Sequence, residues 1–189
     1  MKRHKLLTLL EQFHPSDQEI PYKEQIISFV KENENCFERS LSIGHITASA
    51  WLLDHTGKRA LLMHHRKLDN WFQLGGHCDG DGDMLRVAIK EAEEESGLEG
   101  IIAIDNGIFD VDVHQIPQNP REEAHFHYDI RFLLQVPTEQ DLVINSESKE
   151  LRWINKTDKD LPTNSDSVVR MFYKWQKIFV SDLVALSTK

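Results

Sequence analysis

The sequence holds two cysteines in 189 residues, Cys36 and Cys78. They are too few for a disulfide framework and show no C-x-x-C spacing, so a reducing compartment, the cytoplasm, is the expected location. Long apolar runs are absent as well. The opening MKRHKLLTLLEQ begins like a secretory signal, but its apolar run, Leu6 to Leu10, is interrupted by Thr8 and stops well short of a signal core. No stretch approaches the ~20 apolar residues that a bilayer-spanning helix needs, so no membrane partner is expected. Positive charge is in deficit: 22 Lys and Arg face 31 Asp and Glu, a formal net charge of -9, and outside the N-terminal KRHK no basic run offsets it. Such a surface repels phosphodiester backbones, which excludes an extended nucleic-acid partner. Small phosphorylated ligands stay open, because a divalent cation can bridge two sets of negative charge. Internal repeats and low-complexity tracts are missing too. What is there, 40% hydrophobic and 28% charged residues, is a globular composition, and the length suits one domain with a substantial core.

Leu6, Leu9, Leu10 and Phe13 recur at helical spacing, and HPSDQEIP then ends the helix. A second helix is expected after Pro21, burying Ile26, Ile27 and Val30. Residues 1–40 therefore read as a helical extension packed on a main domain of residues 41–189. From HITASAWLL the period changes to two, with Ile46, Ala48, Ala50 and Leu52 alternating against Thr47, Ser49 and Trp51. DHTG then turns the chain into a second strand, KRALLMHH. NWFQL predicts a short aromatic strand, and IIAIDNGIFDVDV, HFHYDIRFLLQV and ELRWI predict three more. Residues 83–96 have helical period, and NSDSVVRMFYKWQKIF predicts a C-terminal helix with Ser165 as its N-cap.

The stretch GGHCDGDGD, residues 75–83, carries four glycines and three aspartates. Asp79, Asp81 and Asp83 have the 1, 3, 5 spacing of an EF-hand loop, but position six is Met84 and position twelve is Lys90, where a glycine and a bidentate glutamate belong. Neither a P-loop ending nor a dinucleotide fingerprint is present. Alone, the stretch would be a surface turn. In the helix that follows, Leu85, Ala88, Ile89 and Ala92 form a stripe able to face a core, while Glu91, Glu94 and Glu95 sit at i, i+3, i+4 on a neighbouring face. Like charges so spaced destabilise a helix by about 0.2–0.5 kcal/mol per pair. With Gly97 as C-cap, they also lie where the helix dipole disfavours them. A plain solvated acidic face is one reading of this run; a divalent cation that resolves the conflict is the other.

GGHCDGDGDMLRVAIKEAEEESGL resembles the Nudix box, G, five residues, E, seven residues, R-E-U-x-E-E-x-G-U with U aliphatic. Gly76, Glu91, Ala92, Glu94, Glu95, Gly97 and Leu98 match it; Gly82 stands in place of the first glutamate and Lys90 in place of the arginine. Outside the box the likeness is one of pattern and covers roughly residues 44–155. The resemblance implies an α/β fold, a Nudix-type α/β/α sandwich with a mixed β-sheet, to which the N-terminal helical extension and the C-terminal helix are added. It implies Glu91, Glu94 and Glu95 as metal-binding and catalytic carboxylates, Mg²⁺ as cofactor with Mn²⁺ as a substitute, and hydrolysis of a pyrophosphate bond in a nucleoside diphosphate linked to another moiety. Mg²⁺ suits hard oxygen ligands, neutralises phosphate oxygens and yields hydroxide near neutral pH.

The water-derived proton needs an acceptor: Glu91 or Glu95, or a later-loop residue of the kind related enzymes recruit, here Glu122, Glu123 or Glu147. Gly75, Gly76, His77 and His127 are the expected contacts to a small phosphorylated nucleotide. His125, His127 and Asp129 share one strand face, which either lines the cleft or meets solvent. A zinc site from His77, Cys78 and Asp79 is disfavoured, since three consecutive residues rarely converge tetrahedrally. Cys78 follows its Gly-His pair, whereas in the isoprenoid diphosphate isomerases of the same fold the cysteine precedes it. Trp153 and Trp175 read as core aromatics. In the family the replaced glutamate and arginine link loop to helix, so Lys90 is left to pair with Glu93, Glu94, Asp81 or Asp83, and without the guanidinium fork. The alternative function is a Nudix-fold module that binds or senses a nucleotide without cleaving it. Which nucleoside diphosphate derivative is bound is not legible, and a homodimer stays open.

Overall fold

A computed structural model of the chain describes residues 1–118 and 123–178. At its centre HITASAWLL forms β1 (Gly44–Leu53), buried at all ten positions. Ile46, Ala48, Ala50 and Leu52 enter the larger core cluster, while Trp51 and Leu53 enter a second one on the other face. The alternation therefore separates two buried faces rather than a buried from a solvated one.

The strand IIAIDNGIFDVDV is in fact two, β5 (Ile102–Ala103) and β6 (Asp110–Ile116). Between them Asp105 accepts the backbone N–H of Gly107 at 2.9 Å, a local turn that ends pairing. NWFQL likewise breaks at Gln73 into β3 (Asn70–Phe72) and β4 (Leu74–His77). With β2 (Arg59–His65), β7 (His125–Gln135) and β8 (Ser148–Asn155), these make one eight-stranded sheet among the described residues. β1 pairs parallel with β7, from Gly44 opposite Phe126 to Leu53 opposite Gln135. Its other side is shared by β4 and, at the C-terminal end, β2, both antiparallel. β6 and β5 pair antiparallel with β7, and β3 and β8 with β2, so the sheet is mixed.

Helices cover both faces. α1 (Lys2–Gln12), with Phe13 just after it, and α2 (Ile20–Glu32) contribute Leu6, Leu10, Phe13, Ile26, Phe29 and Val30 to the larger cluster, and α3 (Met84–Ser96) adds Met84, Val87, Ala88 and Ala92. Leu9 and Ile27 are only half-buried. On the opposite face α4 (Asp166–Gln176) packs Val168, Met171, Phe172 and Trp175 against Trp51 and Leu133. This is an α/β/α arrangement. Ser165 stands at the N-cap of α4, but its side chain makes no capping hydrogen bond; the hydroxyl meets that of Ser167 at 3.2 Å. Trp175 is fully buried as expected, whereas Trp153 is half-buried with the Arg59 guanidinium over its ring. The end of the expected C-terminal helix, and residues 179–189 of the main domain, lie outside the described residues. No helix among the described residues is long and apolar enough to cross a membrane.

Candidate active site and its histidine face

α3 starts at Asp83, whose carboxylate accepts the N–H of Arg86 at 3.3 Å, and ends at Gly97 in the left-handed conformation, φ 71°. Its buried side is rotated from the expected stripe: Leu85 and Ile89 are half-buried, while Met84, Val87 and Glu95 are buried. The reason lies in β4. Gly75 has φ 154°, and a Cβ there would overlap the Ser49 hydroxyl; a Cβ on Gly76 would overlap the Glu91 carboxylate. The bare position at Gly76 lets the helix close on the strand, the one at Gly75 lets β4 lie close against Ser49 of β1, and Glu95 accepts the Gly75 N–H at 2.8 Å.

Each carboxylate of EAEEE has a partner. Lys90 Nζ lies 3.0 Å from Glu91 Oε1 and 3.1 Å from Glu94 Oε2. Glu93 accepts the N–H groups of Gly100 at 2.9 Å and Ile101 at 3.3 Å. The like-charge conflict is thus relieved within the chain, and it does not by itself demand a metal. What the geometry does show is convergence: one cationic nitrogen sits between two of the carboxylates, with the third on the same helix. Such an all-oxygen set fits a hard divalent cation. Burial pushes the Glu95 carboxyl up to about 8, opposed by the Gly75 N–H and reinforced by Glu91, Glu147 and Glu94. Glu147, just before β8, is thereby brought within electrostatic reach of the cluster. Glu123 instead lines a cavity of about 200 Å³ with Arg39, Leu41, Ser42 and His125, and Glu122 lies outside the described residues.

The loop aspartates do not join the cluster. Asp79 takes a two-pronged bond from Arg39 at 2.5 and 2.8 Å, Asp81 pairs with Arg86, and Asp83 pairs with Lys5 at 2.7 Å. Lys2 donates to the Gly80 carbonyl at 2.5 Å, and its side chain fills the space where a Cβ on Gly82 would stand. The loop is therefore held by cations of α1 and of the segment before β1, together with Arg86, in place of the glutamate–arginine link. Lys90 pairs with Glu94, as one of the expectations had it, and with Glu91; its pairing with Glu93, Asp81 or Asp83 is not seen.

Across the sheet, register assembles a polar face. Thr47 lies opposite Asp129 and His77, His45 opposite His127, and His114 opposite His127. This face is largely buried, not solvated: Asp129 and Arg131 are each 1% exposed. Asp129 accepts from Thr47 and Ser49 at 2.9 and 2.8 Å and from Arg131 at 2.7 Å. Arg131 continues to Asp110 at 3.0 Å, and Arg170 of α4 binds Asp110 at 2.7 Å and Asp112 at 3.2 Å. Burial, with His114, His45, His77 and His125 around it, pushes His127 down to about 2, so its ring is neutral. This ionic network was missed in the sequence, although Asp110, Asp112, Asp129 and Arg131 alternate at period two on two strands. His77, Cys78 and Asp79 diverge: Cys78 packs its sulfur 3.5 Å from that of Met84, and burial pushes its thiol well above the usual range, which makes it no nucleophile. His64 stacks on Trp71 and meets Asp69 at 2.9 Å, on a different strand.

The sequence matches the NUDIX domain family over residues 44–176. No curated protein matches the chain. Among solved structures, it is similar to an Ap4A hydrolase from C. elegans, with a TM-score of 0.54 and 16% identity over 74% of this chain and 97% of that one. A NUDIX-family hydrolase from Clostridium perfringens gives 0.52 and 22% over 69% and 95%. The E. coli dihydroneopterin triphosphate pyrophosphohydrolase gives 0.53 and 17% over 72% and 95%. At these identities the likeness is one of fold.

Proposed function

The chain belongs to the NUDIX domain family, and from that premise we propose that it is a divalent-metal-dependent hydrolase of a pyrophosphate bond in a nucleoside diphosphate linked to another moiety. The observation that carries the reading is the convergence of Glu91 and Glu94 on one cation position, with Glu95 anchored beside them on Gly75. Glu91, Glu94 and Glu95 would hold Mg²⁺, or Mn²⁺ in its place. When bound, such a cation supplies charge neutralisation at phosphate oxygens and water acidified towards neutral pH. Gly75 and Gly76 keep the approach free of side chains, whereas His77 projects with His45 and His127 from the sheet face opposite Glu91. Glu147 is the better proton acceptor, because it is exposed and lies near the cluster, whereas Glu95 is buried and committed to the Gly75 N–H. Similar structures named for Ap4A and dihydroneopterin triphosphate hydrolysis support a phosphoanhydride substrate. The two buried thiols agree with a reducing, cytoplasmic setting.

A second reading rests on Lys90. Its ammonium already neutralises Glu91 and Glu94, the arrangement expected of a module that binds a nucleotide without cleaving it. Turnover separates the two. Purified protein with Mg²⁺ or Mn²⁺ is expected to hydrolyse at least one member of a panel of nucleoside diphosphate derivatives, and Glu94→Gln with Glu95→Gln is expected to abolish this. Unchanged turnover in the double variant sinks the hydrolase assignment; tight calorimetric binding with no turnover across the panel favours the sensor.

A further inference from the structure

Going beyond hydrolysis, we propose that His45, His77 and His127, with His125 as fourth donor, form a site for one first-row transition-metal ion, Zn²⁺ by its donor chemistry, separate from the carboxylates of α3. The three histidines come from β1, β4 and β7, and one ring nitrogen from each lies within 4.8 Å of the others. His125 and His127 bring their Nε2 atoms to 3.3 Å. Two imidazole nitrogens on one tetrahedral zinc, at ~2.0–2.1 Å per bond, stand about 3.3–3.4 Å apart, so the His125–His127 pair already has that spacing, while the nitrogens of His45, His77 and His127, within 4.8 Å of one another, draw together on binding.

The surroundings prepare the rings as ligands. His125 Nδ1 donates to the Glu123 carbonyl at 2.8 Å, a tautomer that leaves the Nε2 lone pair facing His127. A carbonyl or carboxylate behind the distal nitrogen is the usual support of a metal-bound histidine. Imidazole donors select Zn²⁺, Ni²⁺ or Cu²⁺ over Mg²⁺, so the two sites discriminate by ligand type. The strand keeps them apart, since Gly76 faces Glu91 while the next residue, His77, projects to the opposite side. The cavity lined by Arg39, Ser42 and Glu123 meets the site at His125.

The test uses the full chain, stripped with a chelator and titrated with Co²⁺, whose visible absorption reports a four-coordinate site, then with Zn²⁺ to displace it. One equivalent per chain with an intense visible band is expected. His77→Ala and His127→Ala should each weaken binding by about 100-fold or more, while Glu94→Gln with Glu95→Gln leaves it unchanged. Far-UV circular dichroism and a metal-free melt check each variant, and if His127→Ala does not fold, the half-buried His77→Gln decides. No stoichiometric binding, binding that survives the histidine changes, or binding lost with the glutamates overturns the site. Because the readout is a spectrum of metal binding, absent hydrolysis leaves the result intact.

Discussion

Gly82 stands where the family pattern has a glutamate, and Lys2 of α1 occupies the volume such a side chain would need. Restoring the family residue by Gly82→Glu is therefore expected to lower stability without raising turnover, because the new side chain displaces the start of α1. A thermal melt beside a rate measurement reads both, and a faster, equally stable variant would count against the packing argument. Glu95 makes a second case. In Glu95→Gln the amide oxygen still accepts the Gly75 N–H, so the fold should lose no more than about 1 kcal/mol, while metal affinity and turnover fall by at least tenfold. Urea melts and Mg²⁺ titration separate the two effects. The positions of both residues were legible from the spacing of the box. Their partners were not, because Lys2 and Gly75 lie far along the chain from the residues they meet.

The elements show how the pieces are tied. Glu19, at the start of α2, is fully buried; it accepts from Ser16 at 2.8 and 2.6 Å and from Lys174 of α4 at 2.7 Å. Burial alone would raise its pKa, but the bonds from Lys174 and Ser16 outweigh it, and the net shift is downward from 4.5. A depressed carboxyl contributes stability that is present above its unfolded value and lost as pH falls through the folded one. The connection between α2 and α4 should therefore weaken as pH is lowered from 5 towards 3. Chemical melts across that window are expected to show the loss, and Lys174→Met to produce it at pH 7, at about 3–5 kcal/mol for an unpaired buried carboxylate. A flat profile in the parent protein would refute the tie. Helical period and turn residues were enough to locate α1, α2, α3 and α4, yet the core face of α3 was displaced towards Met84 and Val87. Period alone does not say how closely a bare strand will approach.

Across the whole molecule, Arg131 joins the histidine face to α4. It is 1% exposed among Asp110, Asp112 and Asp129, with Arg170 as the second cation. Replacing it by methionine leaves three buried carboxylates with one guanidinium, and a loss of about 3–5 kcal/mol is expected from equilibrium unfolding. A variant as stable as the parent would show that the network is not what holds α4 to the sheet. By itself the sequence determined the order and kind of most elements, the glycine turn before α3 and the fixed spacing of Glu91, Glu94 and Glu95, since each follows from local period, capping and turn chemistry. Only the tertiary structure decided that these carboxylates are partnered by Lys90 and Gly75, that the loop aspartates pair with Lys5, Arg39 and Arg86, and that five histidines meet on one face. Those contacts depend on strand register between segments as distant as residues 45 and 127, and on burial, which no local pattern of residues encodes.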